Sequence, residues 1–234
     1  MKRIVFIRHN DEPGDDRVTR FFEDKGVDPD IRMPFRGDKL GDVDGSVAAS
    51  VVFGGPFNVF EEYRFPFLHE ENRWIELCLK HGVPILGICQ GAQSMARVLG
   101  AKVGPKASGV HEFGYYGLKA TPEGRGIFPE RLIVCQSHSH GFEVPVGAKR
   151  LAGSELFENQ AFSYGPQALA LQFHAEVTPD GFRRWQQASW APYGKPGAQT
   201  REEQDARMEK YDVDQATWFQ SLLQQFFGAA LANG

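Results

Sequence analysis

Pro84–Met95 reads PILGICQGAQSM, and its reading decides the fold. The apolar run VPILGI ends at Ile88, too short for a helix and bounded as a buried strand is. QGAQSMARVLG follows with no loop between. Ala92, Met95, Ala96 and Leu99 recur at helical spacing, and Gly100 stands where a helix C-cap would. Cys89 is the joint between strand and helix, with Gly87 and Gly91 two residues to either side. A sharp strand-to-helix turn strains its central residue and crowds the neighbours, so small residues are required there, as in a G-x-S-x-G nucleophile elbow. The helix dipole would then favour thiolate over thiol, and its first N–H groups would face an incoming oxyanion. A lone cysteine at a strand end is far more often a small core residue than a nucleophile, so the choice rests on what else the chain supplies.

Working outward, RIVFIRH (Arg3–His9) reads as a short buried strand, followed by a polar segment to Lys25 that begins a helix. IRMPF is expected to be a second strand, and VAASVVFGGP a third, stopped by Gly54, Gly55 and Pro56. A helix is expected from about Leu68 to Lys80, with Trp74, Leu77 and Cys78 on one side and Gly82 as its stop. Strands alternating with helices imply a mostly parallel central sheet covered on both faces, a three-layer α/β architecture of flavodoxin-like type, whose sites lie at the carboxyl ends of strands. Cys89 and the Gly54-Gly55 pair fall at such ends.

The middle third changes character. FGYYGLKAT, RLIVCQSHSH, KRLAGSE, FSYG and ALALQFHAEV are short and separated by Gly and Pro, which predicts mixed or antiparallel additions to the sheet. Beyond Pro179 the chain turns helical again. APYGKPGAQT is a loop, and the last segment carries two rows, Trp218, Leu222, Phe226 and Phe219, Leu223, Phe227, that predict a helix docked on the body. Residues 1–190 are therefore expected to form the domain, and 191–234 a loop and helical extension packed on it.

Composition narrows the function. With 41% hydrophobic and 24% charged residues, a formal charge of -4 and a pI near 6.0, the 234-residue chain calls for neither nucleic acid nor an anionic membrane as partner. No apolar run approaches the ~18 residues of a membrane span, and MKRIVFIRHND is not a signal peptide, so a cytoplasmic location is expected. Three widely spaced cysteines, Cys78, Cys89 and Cys135, indicate free thiols, with no disulfide framework, no zinc site and no cofactor implied. Cys78 and Cys135 read as packing residues, and His69, His81, His111 and His138 have no partner pattern.

Cysteine catalysis needs a base. In LQFHAEV, His174 and Glu176 stand two apart on an expected strand, so both would face one side. The carboxylate would orient the imidazole directly or support it through a shared network. The glycine turn at Gly54-Gly55 offers backbone N–H groups close enough for a second oxyanion donor. Cys89, His174 and Glu176 then make a nucleophile, base and orienter for acyl transfer.

These residues resemble the class I, or triad, glutamine amidotransferases. GICQGAQ (Gly87–Gln93) fits the nucleophile motif, FGGP (Phe53–Pro56) the oxyanion loop and QFHAE (Gln172–Glu176) the terminal motif, in family order. GGPFNVFEE and LGAKVGPKASGVHEFGYYGL are most similar to free-standing members of the type that resembles the amidotransferase domain of GMP synthase. The resemblance implies hydrolysis of the glutamine side-chain amide through a γ-glutamyl thioester on Cys89, with Gly55 and Gln90 as backbone oxyanion donors. It also implies that Gln93, Ser139, Gly141 and Phe142 grip the substrate. Two positions depart from the pattern: Ala175 stands where proline is usual, and Phe142 where the GMP synthase type has aspartate, which bears on whether glutamine or another γ-glutamyl substrate enters.

No pyrophosphatase loop and no P-loop is present, so an ammonia acceptor is expected on a separate synthetase polypeptide, oligomeric state being unreadable. The alternative is a stand-alone γ-glutamyl amide or peptide hydrolase. More distant readings are a non-catalytic subunit and a histidine phosphatase. For the latter, FIRHNDEP resembles the R-H-G-E motif, although Asn10 replaces its glycine.

Overall fold

A computed structural model describes residues 2–232. Strands β1 (Arg3–Ile7), β2 (Asp30–Arg32), β3 (Val47–Val52) and β4 (Ile85–Ile88) alternate with helices α1 (Arg17–Glu23), α2 (Phe67–His81) and α3 (Gln90–Val98). The shorter strands β5 (Val103–Pro105), β6 (Glu112–Ala120), β7 (Arg131–His138), β8 (His140–Phe142), β9 (Lys149–Ser154), β10 (Ala161–Tyr164) and β11 (Ala168–Leu171) follow. Helices α4 (Pro179–Gln187) and α5 (Arg201–Ala232) come last. Nine strands form one sheet in the order β2-β1-β3-β4-β11-β10-β9-β6-β7, and β5 pairs with β8 beside it. The rungs from β2 to β11 are parallel, and those from β11 to β7 antiparallel. This is the mixed sheet expected from the sequence.

Alternation along the central strands explains why both faces are covered. Ile4, Phe6, Leu86, Ile88, Leu169 and Leu171 point to one core with Phe21 and Phe22 of α1 and Phe219, Leu223 and Phe227 of α5. Val5, Ile7, Ile85, Ala168 and Ala170 point to the other, with Trp74 and Ile75 of α2 and Ala92, Met95 and Ala96 of α3. A third cluster, around Phe113, Tyr115, Cys135, Phe182 and Trp185, seats α4 against the antiparallel end of the sheet. Both apolar rows expected on the last helix face the body, Phe219, Leu222, Leu223 and Phe227 buried and Trp218 and Phe226 packed at their edge. No helix among the described residues is long and apolar enough to cross a membrane.

Three expectations shift. The first strand ends at Ile7, where β2 and β3 supply their last rungs, Arg32 and Val52, leaving Arg8 and His9 beyond the ladder. IRMPF pairs only as far as Arg32, because Pro34 opens a single 3-10 turn ending at Gly37, with φ of 100°. His174 and Glu176 are not on a strand. Leu171 pairs with Ile88, and the next residue of β4 is Cys89, already turning into α3, so β11 has no partner to continue against.

Candidate active site

Strands β4 and β11 end side by side, and the Cys89 N–H donates to the Leu171 carbonyl at 2.8 Å. One parallel rung thereby sets where the chain leaves the sheet on both sides. Cys89 has φ 51° and ψ -106°, the one positive φ outside glycine among the described residues. This costs a non-glycine residue of order 1–3 kcal/mol and persists only where the surroundings enforce it. Here they do: a Cβ on Gly91 would lie 2.0 Å from the Val52 carbonyl oxygen, and one on Gly87 2.7 Å from the Gly91 backbone. The two glycines let α3 start hard against β3 and β4, and Cys89 is its N-cap residue.

Gly54 and Gly55 come as close on the opposite wall. A Cβ on Gly54 would stand 2.8 Å from His174 Cε1 and 3.3 Å from Cys89 Cβ, and one on Gly55 2.3 Å from His9 Cβ and 2.7 Å from Gln90 Oε1. Gln90 Oε1 also accepts from the Phe57 N–H at 3.0 Å, fixing the glycine loop to the start of α3. Gly54 thus borders the cysteine, and Gly55 lies against His9 and the side chain of Gln90, the first residue of the helix.

His174 is buried, and its Nδ1 is 2.7 Å from Glu176 Oε1. The carboxylate therefore orients the imidazole directly, with no intermediary. The Trp185 ring packs edge-on against the imidazole at 4.8 Å. Burial works against the imidazolium, but the Glu176 carboxylate and the Cys89 sulfur, to which the ring also hydrogen-bonds, outweigh it and hold His174 well above the usual histidine range. Geometrically, this is a thiol against an imidazole, with a glycine pair beside them and a carboxylate behind the imidazole.

The cavity over Cys89 has a volume of about 470 Å³. Gly54, Gly55, Ser137, His138, Ser139, His174 and Glu176 line one part, and Glu12, Pro13, Thr178, Arg184, Trp185, Trp190 and Pro192 another. Its arginines are paired: Arg8 reaches Asp16 at 2.5 Å, and Arg184 grips Asp15 through two hydrogen bonds that hold the Asp15 carboxyl below its usual range. No group of three or more His, Cys, Asp or Glu side chains among the described residues is disposed to hold a metal ion.

Of the positions expected to grip substrate, Ser139 lines this cavity, and Gln93, Gly141 and Phe142 do not. Phe142 is buried, packed edge-on to Phe162 at 5.2 Å, because strand alternation turns it into the core while its carbonyl accepts from Asn159 Nδ2. Gln93 Nε2 donates to Gln172 Oε1 at 3.1 Å. His9, the phosphate acceptor of the phosphatase reading, has no exposed side-chain surface and sits 3.0 Å from Glu71 Oε2. His138 is not idle: it meets the buried Glu112 at 3.1 Å. Glu12, Arg184, Trp185 and Trp190 went unrecognised because they come from loops and helices far apart in sequence, where no motif spacing marks them. Buried Cys78 and Cys135 have thiols pushed up by desolvation, that of Cys78 to about 12, so their place is packing.

Residues 33–184 match the family model described as glutamine amidotransferase class-I. A GMP synthase [glutamine-hydrolyzing] of Herminiimonas arsenicoxydans is 34% identical over 178 residues, covering 69% of this chain and 30% of the relative. Another, from Azoarcus, is 33% identical over 146 residues, covering 55% and 25%. The chain thus spans less than a third of the length of these relatives. A solved glutamine amidotransferase of Thermotoga maritima superposes with a TM-score of 0.84 at 32% identity, covering 97% of this chain and 98% of that one. One from Methylobacillus flagellatus, 19% identical, shares the fold with a TM-score of 0.88 over 97% and 95%.

Proposed function

The chain belongs to the glutamine amidotransferase class-I family, and from that membership we propose that it hydrolyses the side-chain amide of glutamine, with Cys89 as nucleophile. The Cys89 sulfur adds to the amide carbonyl carbon, and the oxyanion so formed is met by the N–H groups of Gly55 and Gln90. His174, as imidazolium, gives its proton to the departing nitrogen, so the C–N bond breaks, ammonia leaves and a γ-glutamyl thioester remains. Neutral His174 then takes a proton from water, whose oxygen attacks the thioester. Glutamate departs and the sulfur is restored, so one water is consumed for each glutamate and ammonia. Glu176 keeps the imidazole in one tautomer and orientation throughout. Gln93, Ser139, Gly141 and Phe142 enter this reading through the resemblance of their segments to the family. Of these, Ser139 would meet substrate within the cavity, and Phe142 would act only by shaping the core beneath. For the released ammonia we place the acceptor outside these 234 residues, by analogy with the synthase relatives.

One observation carries the reading: Cys89, at its strained φ on the turn into α3, shares a buried contact with His174, itself fixed by Glu176 at 2.7 Å. A second reading, hydrolysis of larger γ-glutamyl amides, is favoured by the cavity wall of Trp185, Trp190 and Pro192. Trp185 packs edge-on against His174, Trp190 lies against Trp185, and the cavity they line with Pro192 extends beyond the cysteine. Glutamate release from glutamine and from a γ-glutamyl anilide, by wild type and Cys89→Ala, tests both. Cys89→Ala is expected to lose at least ~10³-fold. Release that survives the substitution would sink the nucleophile assignment, and a kcat/KM higher for the anilide than for glutamine would select the second reading.

A further inference from the structure

His174 and Glu176 stand on a turn outside the sheet, so strand pairing does not hold them. Something else must, because a catalytic turn free to move by an ångström loses its geometry. The carbonyls of Ala175, Glu176 and Val177 all accept hydrogen bonds from one residue, Arg17. Its backbone N–H reaches Glu176 at 2.8 Å, and its Nη1 reaches Ala175 at 3.0 Å and also Val177. The other arm of the guanidinium, Nη2, lies 2.6 Å from Asp212 Oδ2 on α5, with both side chains nearly buried. Asp212 Oδ1 in turn accepts from Tyr115 Oη and Gln215 Nε2, each at 3.2 Å. Gln215, fully buried, accepts the Cys135 N–H at 2.6 Å, and the Cys135 carbonyl accepts the His174 N–H at 2.8 Å. The circuit closes: the backbone of His174 and the three carbonyls after it are tied, by two routes, to a single turn of α5.

We propose that Arg17 and Asp212 are positioning residues for the His174-Glu176 pair, and that α5 serves as the buttress of the active site through them. The fork of Arg17 is what makes the device work, since one planar group spans two carbonyls and a carboxylate at once. A lysine ammonium keeps the charge but not that reach. The groups facing His174 are Glu176 and Cys89, and those facing the Arg17 guanidinium are Asp212 and the turn carbonyls, so a shift of the turn registers as a change in the imidazole itself.

This inference rests on the amide-hydrolysis reading for its kinetics, so its test carries a readout independent of any substrate. Arg17→Ala, Arg17→Lys and the milder Asp212→Asn are compared with wild type for kcat and KM with glutamine, and for Cys89 alkylation by iodoacetamide across pH. Cys78 and Cys135 have no exposed surface and thiols pushed up by burial, whereas Cys89 opens on the cavity, so mass-spectrometric assignment of the alkylated residue follows Cys89 alone. Expected are a fall in kcat of about 10²-fold in Arg17→Ala with KM little changed, the size of loss a small misplacement of catalytic groups produces. Arg17→Lys should give no rescue, and Asp212→Asn a smaller loss. The alkylation profile of Arg17→Ala should be displaced from that of wild type. Unchanged kcat and alkylation profile in folded Arg17→Ala, or full rescue by lysine, would overturn the proposal. If wild type releases no glutamate yet the alkylation profiles still separate, the positioning role stands and the substrate assignment fails.

Discussion

At the level of single residues, the chemistry turns on the charge state of His174. Burial alone would keep the imidazole neutral, and Glu176 is the largest influence that reverses this. Removing that carboxylate as Glu176→Gln keeps shape and a hydrogen-bond partner but leaves burial opposed only by Cys89, so the His174 pKa is expected to fall, as NMR titration of its ring would show. The sign for stability follows from linkage. A histidine raised on folding adds stability that is complete below its unfolded value, about 6.5, and fades as pH rises through the folded one. The stability gap between wild type and Glu176→Gln should therefore be widest below about pH 6.5 and narrow toward alkaline pH in urea titrations at each pH. A gap that widens with pH would refute the charge assignment. Gly87 and Gly91 were legible beside Cys89 because a tight turn leaves one chemical solution, the absence of a side chain. Arg17 was not, since a guanidinium that works on carbonyls some 160 positions away leaves no local pattern.

Among the elements, legibility followed periodicity. α2 and α3 could be read because their apolar positions repeat at the helical period and a left-handed glycine follows each, Gly82 with φ 68° and Gly100 with φ 85°, whereas β1 and β4 could be read only as apolar runs, β1 stopping two residues short of His9. The apolar alternation of ALALQFHAEV runs past Leu171, and nothing in it reveals that the neighbouring strand has already turned into a helix. Strand ends are set by partners, and partners lie elsewhere in the chain. The last helix was readable on its apolar rows, but not the polar face that carries Asp212 and Gln215. Its docking has a measurable strength. Phe219 is fully buried between α5 and the sheet, so Phe219→Ala should cost about 3–5 kcal/mol in denaturant titration, the usual range for a buried phenylalanine. A cost below ~1 kcal/mol would mean that the helix is not seated as described.

For the molecule as a whole, the site is a meeting of distant segments. The glycine loop follows β3, the cysteine follows β4, His174 follows β11, and the proposed brace comes from α5. The fold class was open to sequence reading because a parallel sheet with a nucleophile turn needs a particular order of strands and helices. The extent of the cavity was not, because its far wall of Trp185, Trp190 and Pro192 is made by a segment whose path over the sheet is a matter of packing.

The rung between Ile88 and Leu171 joins residues roughly eighty positions apart, with an antiparallel run of strands intervening. Such a contact closes a long loop and forms late, after local structure has gathered on either side. Cys89 and His174 are therefore strangers for much of the folding reaction, and helices can be present well before the site is. In refolding from urea, far-UV ellipticity should recover ahead of glutamate release, and simultaneous recovery would show that this rung forms early. The site is completed last, so a half-folded chain lacks the pairing of Cys89 with His174 on which the proposed hydrolysis depends.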